Sequence, residues 1–162
     1  ILESGLAYDR CQIGVITNLN PEKHIGRRYI ETPEQVYNIL RTQVDLVLKN
    51  GAAVLNAREP MLVEMAPLSD GEVIFFALDP DQPSVMAHRE QGGRAVIVRF
   101  GQIMLASGQG ETALARLVDI PICKHGKDTR QVENVLAAIG AAWALGISND
   151  VMRTGVETFM AE

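Results

Sequence analysis

Cysteine, basic charge and long apolar runs are all scarce in this chain of 162 residues. Its two cysteines, Cys11 and Cys123, are far apart and have no second Cys or His at the spacing of metal ligands. This indicates lone thiols rather than a disulfide or a zinc site. Fifteen Lys and Arg against twenty Asp and Glu give a net charge of −5. A phosphate-backbone binder needs a basic surface, so this balance argues against a nucleic-acid partner.

Segments that span membranes or cradle phosphates are also missing from the sequence. The longest uncharged apolar stretch, 135–147, is shorter than the roughly 20 residues of a membrane helix, so we expect no membrane span. Neither G-x-x-x-x-G-K-[ST] nor G-x-G-x-x-G occurs among the fourteen glycines. Residues 1–5 carry no initiator Met, basic region or apolar signal core, which predicts an entry point inside a longer polypeptide. We expect a cytoplasmic location.

The composition is that of a globular protein. Apolar residues make up 47% and charged residues 22% of the chain, with apolar clusters along its whole length. Its length fits the prior of roughly 100 to 200 residues per domain, so 1–162 is predicted to be one unit or part of one.

Strand-like and helix-like segments alternate along the chain. The uncharged, β-branched run 12–18 predicts a central strand buried on both faces. Further strands are predicted over 52–56, 72–77, 94–100 and 102–107, and helices over 59–66, 84–91 and 112–117. The last two strands predict a hairpin at Gly101.

Capping signals define the other helices. A capping box of Thr32 and Gln35 predicts one helix start, and the segment 49–51 predicts its end. Another apolar stripe predicts a helix that stops at Gly146, and Ser148 caps a last helix. Together these elements predict an α/β fold, with a mainly parallel sheet, helices on both faces and a small antiparallel hairpin at the edge.

A polar loop with an imidazole follows the first predicted strand. Ligands of open α/β sheets bind beyond the carboxyl ends of the strands. His24, in the loop 17–26, could there ligate a divalent metal or contact a phosphoryl group. A solvent-exposed loop histidine is the simpler alternative, and the residues alone favour it.

A second polar segment, 124–134, surrounds a predicted helix start with basic residues, His125 and Asn134. A helix N-terminus with nearby cations suits an anionic ligand, although a solvated charged turn is equally common. Asn134 could hydrogen-bond the edge of a purine, but its position in the sequence does not decide whether it does. Structural roles are expected for the surface turn 108–111 and for His88, predicted to be exposed without a partner.

Ordered blocks of sequence resemble the cyanophycin synthetase family. They cover 1–11, 15–18, 24–26, 41–45, 51–57, 70–79 and 131–138. More narrowly, the chain resembles the later part of the Mur-ligase-like central domain of that family. The resemblance implies that 1–162 is a single partial domain, the C-terminal portion of an ATP-binding domain without its phosphate-binding loop.

The activity that the resemblance implies is ATP-dependent amide ligation. Arginine would be attached to the side-chain carboxylates of a polyaspartate backbone through an acyl phosphate, with ATP and Mg²⁺ as cofactors. The implied partners are arginine, aspartate, the cyanophycin polymer and further copies of the protein in a homo-oligomer. We expect this chain alone to be inactive and to expose a sheet edge that favours self-association.

The resemblance also assigns roles to individual residues. His24 would lie beside the magnesium ion and the γ-phosphate, and Asn18 would help to shape that loop. Asn134 would face the adenine. His125, in the turn that precedes this helix, would also contact the nucleotide. No residue of this chain is assigned a catalytic role.

Two residues depart from the Mur pattern. Lys23 stands where an Asp commonly precedes the histidine, and Arg41 stands near the position of a lysine that many Mur enzymes carbamylate. Arginine cannot take that modification, so the metal environment is expected to differ.

Two other functions stay open. One is a non-catalytic α/β nucleotide-binding or scaffold module, which the missing phosphate loop favours. The other is a different Mur-type ligase, which the block 5–11 disfavours.

Overall fold

The computed structural model describes residues 6–26 and 30–160. Its strands are β1 (Cys11–Ile16), β2 (Val47–Asn56), β3 (Glu72–Ala77), β4 (Arg94–Arg99), β5 (Gln102–Ser107) and β6 (Gly110–Arg116). Its α-helices are α1 (Pro33–Asp45), α2 (Pro60–Met65), α3 (Pro83–Glu90), α4 (Thr129–Ala144) and α5 (Asn149–Thr158). Short 3-10 helices cover Pro21–Lys23, Ala66–Leu68, Leu117–Asp119 and Pro121–Cys123.

The six strands form one sheet in the order β1-β2-β3-β4-β5-β6. The first four strands are parallel, and β4, β5 and β6 are antiparallel neighbours. Phe100 and Gly101 both have positive φ, as a two-residue hairpin between β4 and β5 requires. The predicted α/β fold with its antiparallel hairpin is confirmed.

Helices cover both faces of the sheet, as predicted. On one face, α1, α2 and α3 pack on a core that includes Leu55 and Phe75. On the other face, α4 and α5 pack on a core that includes Val54 and Phe76. At Gly140 of α4, a Cβ would lie 2.7 Å from Val54 Cγ1, so glycine permits this close approach of helix and sheet.

The position predicted for the first strand is wrong. Within 6–26 and 30–160, β1 pairs with β2 alone and forms an edge of the sheet. Helices α1 and α4 contact the strand and Gly14 and Ile16 are buried, whereas Gln12 and Val15 are exposed. An apolar pattern indicates that side chains are buried, but it does not show whether the strand has one neighbouring strand or two.

The end predicted for the first long helix is also wrong. The capping box at Thr32 forms as predicted, but α1 ends at Asp45 and residues 49–51 belong to β2. A Cβ at Gly51 would lie 2.1 Å from the Gln12 carbonyl oxygen. Gly51 therefore allows β1 and β2 to approach closely and is not a helix stop.

The helix predicted over 112–117 is a strand, β6. The chain turns at Gly108, which has a φ of 53°, and then pairs with β5 from Gly110 onward. Pairing with a distant strand thus outweighs the local helix preference of the Ala-Leu-Ala sequence. The segment 108–111 is a turn that leads into this strand.

His88 was predicted to be exposed and without a partner, which is wrong. It is half-buried, its Nε2 lies 3.0 Å from the Val73 carbonyl oxygen, and its ring packs edge-on against Phe75 at 4.9 Å between centroids. Both partners lie on β3, whereas the prediction considered only residues three or four positions away on the same helix.

Each cysteine is a free thiol. Burial raises the pKa of both Cys11 and Cys123, and the charge of Asp128 raises that of Cys123 further. No helix among the residues that the structure describes has the length and apolar character needed to cross a membrane.

Candidate functional site

The parallel strands end level with one another and lead into polar segments. Ile16 of β1 lies beside Leu55, and Asn56 of β2 lies beside Phe76 of β3. The segments that follow these strands start at Thr17, Ala57 and Leu78. This carboxyl edge is where ligands of open α/β sheets bind.

Asn56 lies at the centre of this edge. It is the last residue of β2 and is buried, with 3% of its surface exposed. Its Nδ2 donates to the Thr17 carbonyl oxygen at 2.9 Å, and its Oδ1 accepts from the Arg58 amide nitrogen at 3.0 Å. Asn56 is not among the residues that the sequence predicted for the site, although a single polar residue at the end of an apolar strand is a usable signal.

The loop after β1 carries Asn18 and His24. The Asn18 Nδ2 donates to Thr17 Oγ1 at 3.1 Å, and its Oδ1 accepts from the Asn20 side-chain amide. Asn20 has a φ of 40° and starts the short helix Pro21–Lys23. His24 is half-buried, and its backbone nitrogen donates to the Pro21 carbonyl oxygen at 2.9 Å. The predicted roles of Asn18 and His24 therefore fall on one short loop at the carboxyl edge.

His125 lies in a tight turn before α4. Lys124, His125 and Gly126 have φ values of 49°, 58° and 86°. The His125 Nδ1 donates to the Val118 carbonyl oxygen at 2.6 Å, which holds the ring against the turn. One ring nitrogen thus serves the fold, and Nε2 is the atom that a ligand could use.

The N-terminus of α4 is capped by the protein itself. Asp128 accepts from the Gln131 backbone nitrogen at 3.3 Å. Its carboxylate lies where an anionic ligand would bind a free helix N-terminus. An anion near this turn would therefore be bound by neighbouring cations such as Lys124, which is exposed.

Asn134 lines a groove between α4, α5 and the short helix Pro121–Cys123. The groove measures about 310 Å³, within the range of small-molecule sites. Its walls are Ile122, Gln131, Asn134, Val135, Ala138, Gly155, Val156 and Phe159. The Asn134 side-chain amide donates to Gln131 Oε1 at 3.2 Å. The groove is therefore mostly apolar, with two amide side chains in its wall.

A second cavity shares part of this wall. It measures about 420 Å³, and its lining includes Ile122 and Gln131 together with Lys124 and Asp128. The apolar groove thus adjoins a space with a cation at its border.

A chain of contacts connects the two candidate segments. Arg58 pairs with Glu133 of α4 at 3.2 Å, and Glu133 is the neighbour of Asn134. With Asn56, this pair joins the end of β1 to the first turns of α4. Over the stretches 6–26 and 30–160, no hydrogen bond or ion pair links His24 directly to Asn134 or His125.

A metal site made by the protein alone is absent from the part of the chain that the structure describes. No group of three or more His, Cys, Asp or Glu side chains comes together there. A magnesium ion beside His24 would therefore need further ligands that the described His, Cys, Asp and Glu side chains do not supply.

The chain is similar along its length to curated ligases. It is 34% identical over 161 residues to the cyanophycin synthetase of Crocosphaera subtropica and 33% identical over 159 residues to that of Synechocystis sp.. These matches cover 99% and 98% of this chain and 18% of each relative, so the chain spans about a fifth of their length. The UDP-N-acetylmuramoyl-L-alanyl-D-glutamate--2,6-diaminopimelate ligase of Geobacter metallireducens is 30% identical over 152 residues, 91% of this chain and 27% of that protein. No protein-family model matches the chain.

Solved structures of Mur ligases share the fold. The UDP-N-acetylmuramoylalanyl-D-glutamyl-2,6-diaminopimelate--D-alanyl-D-alanyl ligase of Acinetobacter baumannii superposes with a TM-score of 0.59 at 17% identity, over 93% of this chain and 29% of its own. A crystal structure of MurF from the same organism gives a TM-score of 0.58 at 18% identity, over 93% of this chain and 30% of its own. The resemblance to cyanophycin synthetases is confirmed, and the homologues are ligases.

Proposed function

We propose that this chain is the later part of the Mur-ligase-like ATP-binding domain of an enzyme that attaches arginine to the side-chain carboxylates of polyaspartate. The observation that carries this proposal is the similarity to cyanophycin synthetases over 98% to 99% of the chain. The polar carboxyl edge supports it, since both segments assigned to the nucleotide lie on elements that meet there.

The groove beside Asn134 is the proposed adenine site. Its apolar walls, including Val135 and Phe159, suit the faces of a purine ring, and the Asn134 amide can both donate to and accept from its edge. The neighbouring cavity beside Lys124 offers a cation to the phosphates. His125 is assigned to the same ligand through its Nε2.

His24 is assigned to the magnesium ion and the γ-phosphate. Mg²⁺ in nucleotide sites keeps several waters and prefers oxygen ligands, so the His24 imidazole would contact the γ-phosphate or a water bound to the magnesium ion rather than replace an oxygen ligand. Asn18 and Asn20 hold the loop in shape through their side chains. When bound, ATP would transfer its γ-phosphoryl group to a carboxylate, which gives an acyl phosphate and ADP, and Mg²⁺ would offset the phosphate charge.

The described side chains would act by positioning. His24 and Asn134 would hold opposite ends of the nucleotide, while elsewhere in the whole protein the arginine α-amine would attack the acyl phosphate and displace inorganic phosphate. Arginine, aspartate and the growing polymer are the proposed substrates, and a cytoplasmic homo-oligomer is the proposed state.

A non-catalytic nucleotide-binding or scaffold module is the second candidate. The missing Gly-rich phosphate loop and the capping of α4 by Asp128 favour it. Such a module would bind the nucleotide weakly and transfer nothing.

The test is ATP-dependent incorporation of labelled arginine and aspartate into an acid-soluble, neutral-insoluble polymer by the full-length protein that carries this segment. We expect incorporation by the wild type and its collapse in His24→Ala and Asn134→Ala. Asn38→Ala, on the exposed side of α1, is the matched control and should behave as the wild type. No incorporation by the intact wild type would favour the non-catalytic module.

A further inference from the structure

The Asn56 side chain holds two loops of the carboxyl edge at once. Its Nδ2 binds the carbonyl oxygen of Thr17, one residue beyond β1, and its Oδ1 binds the backbone nitrogen of Arg58, two residues beyond β2. The residue is 3% exposed, so water cannot readily replace either partner. Both loops are therefore fixed relative to β2 by one amide group.

Each of these loops leads to a different wall of the proposed nucleotide site. Thr17 directly precedes Asn18 and the loop of His24. Arg58, whose side chain is 67% exposed, lies 3.2 Å from Glu133, so the turn after β2 is beside the helix of Asn134. The Asn56 amide thus lies between the segment assigned to the magnesium ion and the segment assigned to the adenine.

The two contacts have different chemical requirements. Thr17 offers a carbonyl oxygen, so only a donor at the Nδ2 position satisfies it. The Arg58 nitrogen is a donor and needs an acceptor at the Oδ1 position. Asparagine meets both requirements, whereas aspartate keeps the acceptor and places a second oxygen against the Thr17 oxygen.

We propose that Asn56 is a positioning residue, which sets the His24 loop through its amide nitrogen and the Arg58 turn through its amide oxygen. This proposal rests on the proposed function, because it concerns the alignment of the same site. Asn56 itself touches no reacting atom. Its contribution is to keep the two walls at a fixed separation before the nucleotide binds.

The Asn56→Asp variant of the full-length protein separates the two contacts. We expect the Mg²⁺ concentration for half-maximal ATP turnover to rise roughly two- to ten-fold, the range that one hydrogen bond accounts for. The KM for ATP should change less than about two-fold, since the Arg58 contact persists. Asn38→Asp makes the same chemical change on the exposed side of α1 and should leave both values unchanged.

Asn56→Leu provides the second comparison. It removes both contacts at similar volume, so the Mg²⁺ requirement and the KM for ATP should rise together. If this variant fails to fold, Asn56→Asp still decides the question. An unchanged Mg²⁺ requirement in Asn56→Asp, or a loss of activity that only follows a lowered unfolding midpoint, would overturn the proposal.

A measurement without ligand separates this proposal from the proposed function. In histidine-labelled protein, Asn56→Asp should shift the imidazole NMR signals of His24. The signals of His88, whose ring contacts the Val73 carbonyl oxygen, should stay unchanged. If the wild type shows no ATP turnover, the ligase function fails, and a shift of the His24 signals still supports the positioning role. Unmoved His24 signals would refute that role whatever the turnover.

Discussion

Gly93 and His88 make a contact that leaves no room for another carbon atom. A Cβ at Gly93 would lie 2.3 Å from the His88 Nε2, the atom that contacts the Val73 carbonyl oxygen. We expect Gly93→Ala to displace the ring and to lower the free energy of unfolding by about 1 to 3 kcal/mol. Urea denaturation measures this value.

The control for this prediction is a double-mutant cycle. In a His88→Ala background the obstructing ring is gone, so Gly93→Ala should have an effect of less than about 0.5 kcal/mol. Equal effects in the two backgrounds would show that the His88 ring is not the obstacle.

Cys123 should make stability depend on alkaline pH. Burial first, and the charge of Asp128 second, raise its pKa in the folded state. The folded protein therefore keeps the thiol proton at pH values where the unfolded chain has lost it. This contribution to stability is complete below the ordinary thiol pKa and is lost as the pH rises through the raised value.

The measurement is urea denaturation of the wild type and of Cys123→Ala at neutral and at alkaline pH. We expect the wild type to lose more stability than the variant between the two pH values. The cavity left by the substitution acts equally at both, so it cancels from the comparison. Equal losses in both proteins would contradict the prediction.

At the level of elements, charged residues connect α3 to the antiparallel strands. Arg89 of α3 pairs with Glu111 of β6 at 2.7 Å, and Arg99 of β4 lies 3.1 Å from the other Glu111 oxygen. Arg99 also reaches Asp81, after β3, at 3.4 Å. The Glu111 carboxylate thus neutralises two guanidinium groups that are largely covered by protein.

We expect Glu111→Gln to lower the free energy of unfolding by about 1 to 3 kcal/mol, because Arg89 would lose its charge partner and Arg99 would keep only the more exposed Asp81. The matched control is Asp150→Asn, which breaks the ion pair between Asp150 and Arg153. The Asp150 side chain is 90% exposed. Exposed pairs contribute less than about 1 kcal/mol. Chemical denaturation of both variants checks the difference, and similar losses would mean that burial does not strengthen the Glu111 pairs.

Local chemistry explains which elements the sequence could predict. The start of α1 depends on Thr32 and Gln35, three residues apart, and the box they form was predicted from the sequence. The end of α1 depends on where β2 pairs with β1, which lies more than thirty residues away. The pairing of β6 with β5 likewise overrides a local helix preference.

The same distinction applies to the candidate site. His24, His125 and Asn134 were found from motifs and from the resemblance, because each lies in a recognisable local block. Asn56 was missed because its partner Thr17 is 39 residues away along the chain. The local sequence thus suffices to propose residues that would face a ligand, while the contact that connects their segments is visible only in the fold.

At the level of the whole molecule, the two edges of the described sheet differ in chemistry. The outer strand β6 carries Glu111 and Arg116, and charged side chains discourage pairing with another chain. The other outer strand, β1, has no charged residue, and its Val15 is 38% exposed. The 162-residue chain is therefore expected to associate with itself through β1.

Size-exclusion chromatography with light scattering tests this expectation over a range of protein concentrations. We expect the mass of the wild-type chain to rise with concentration, and Val15→Lys to stay monomeric because a charged side chain on the outer strand opposes pairing with a second chain. Val151→Lys, at a 61% exposed position of α5, is the control and should associate like the wild type. Equal unfolding midpoints would show that both variants are folded. A wild-type chain that stays monomeric at every concentration would contradict the expected self-association through β1.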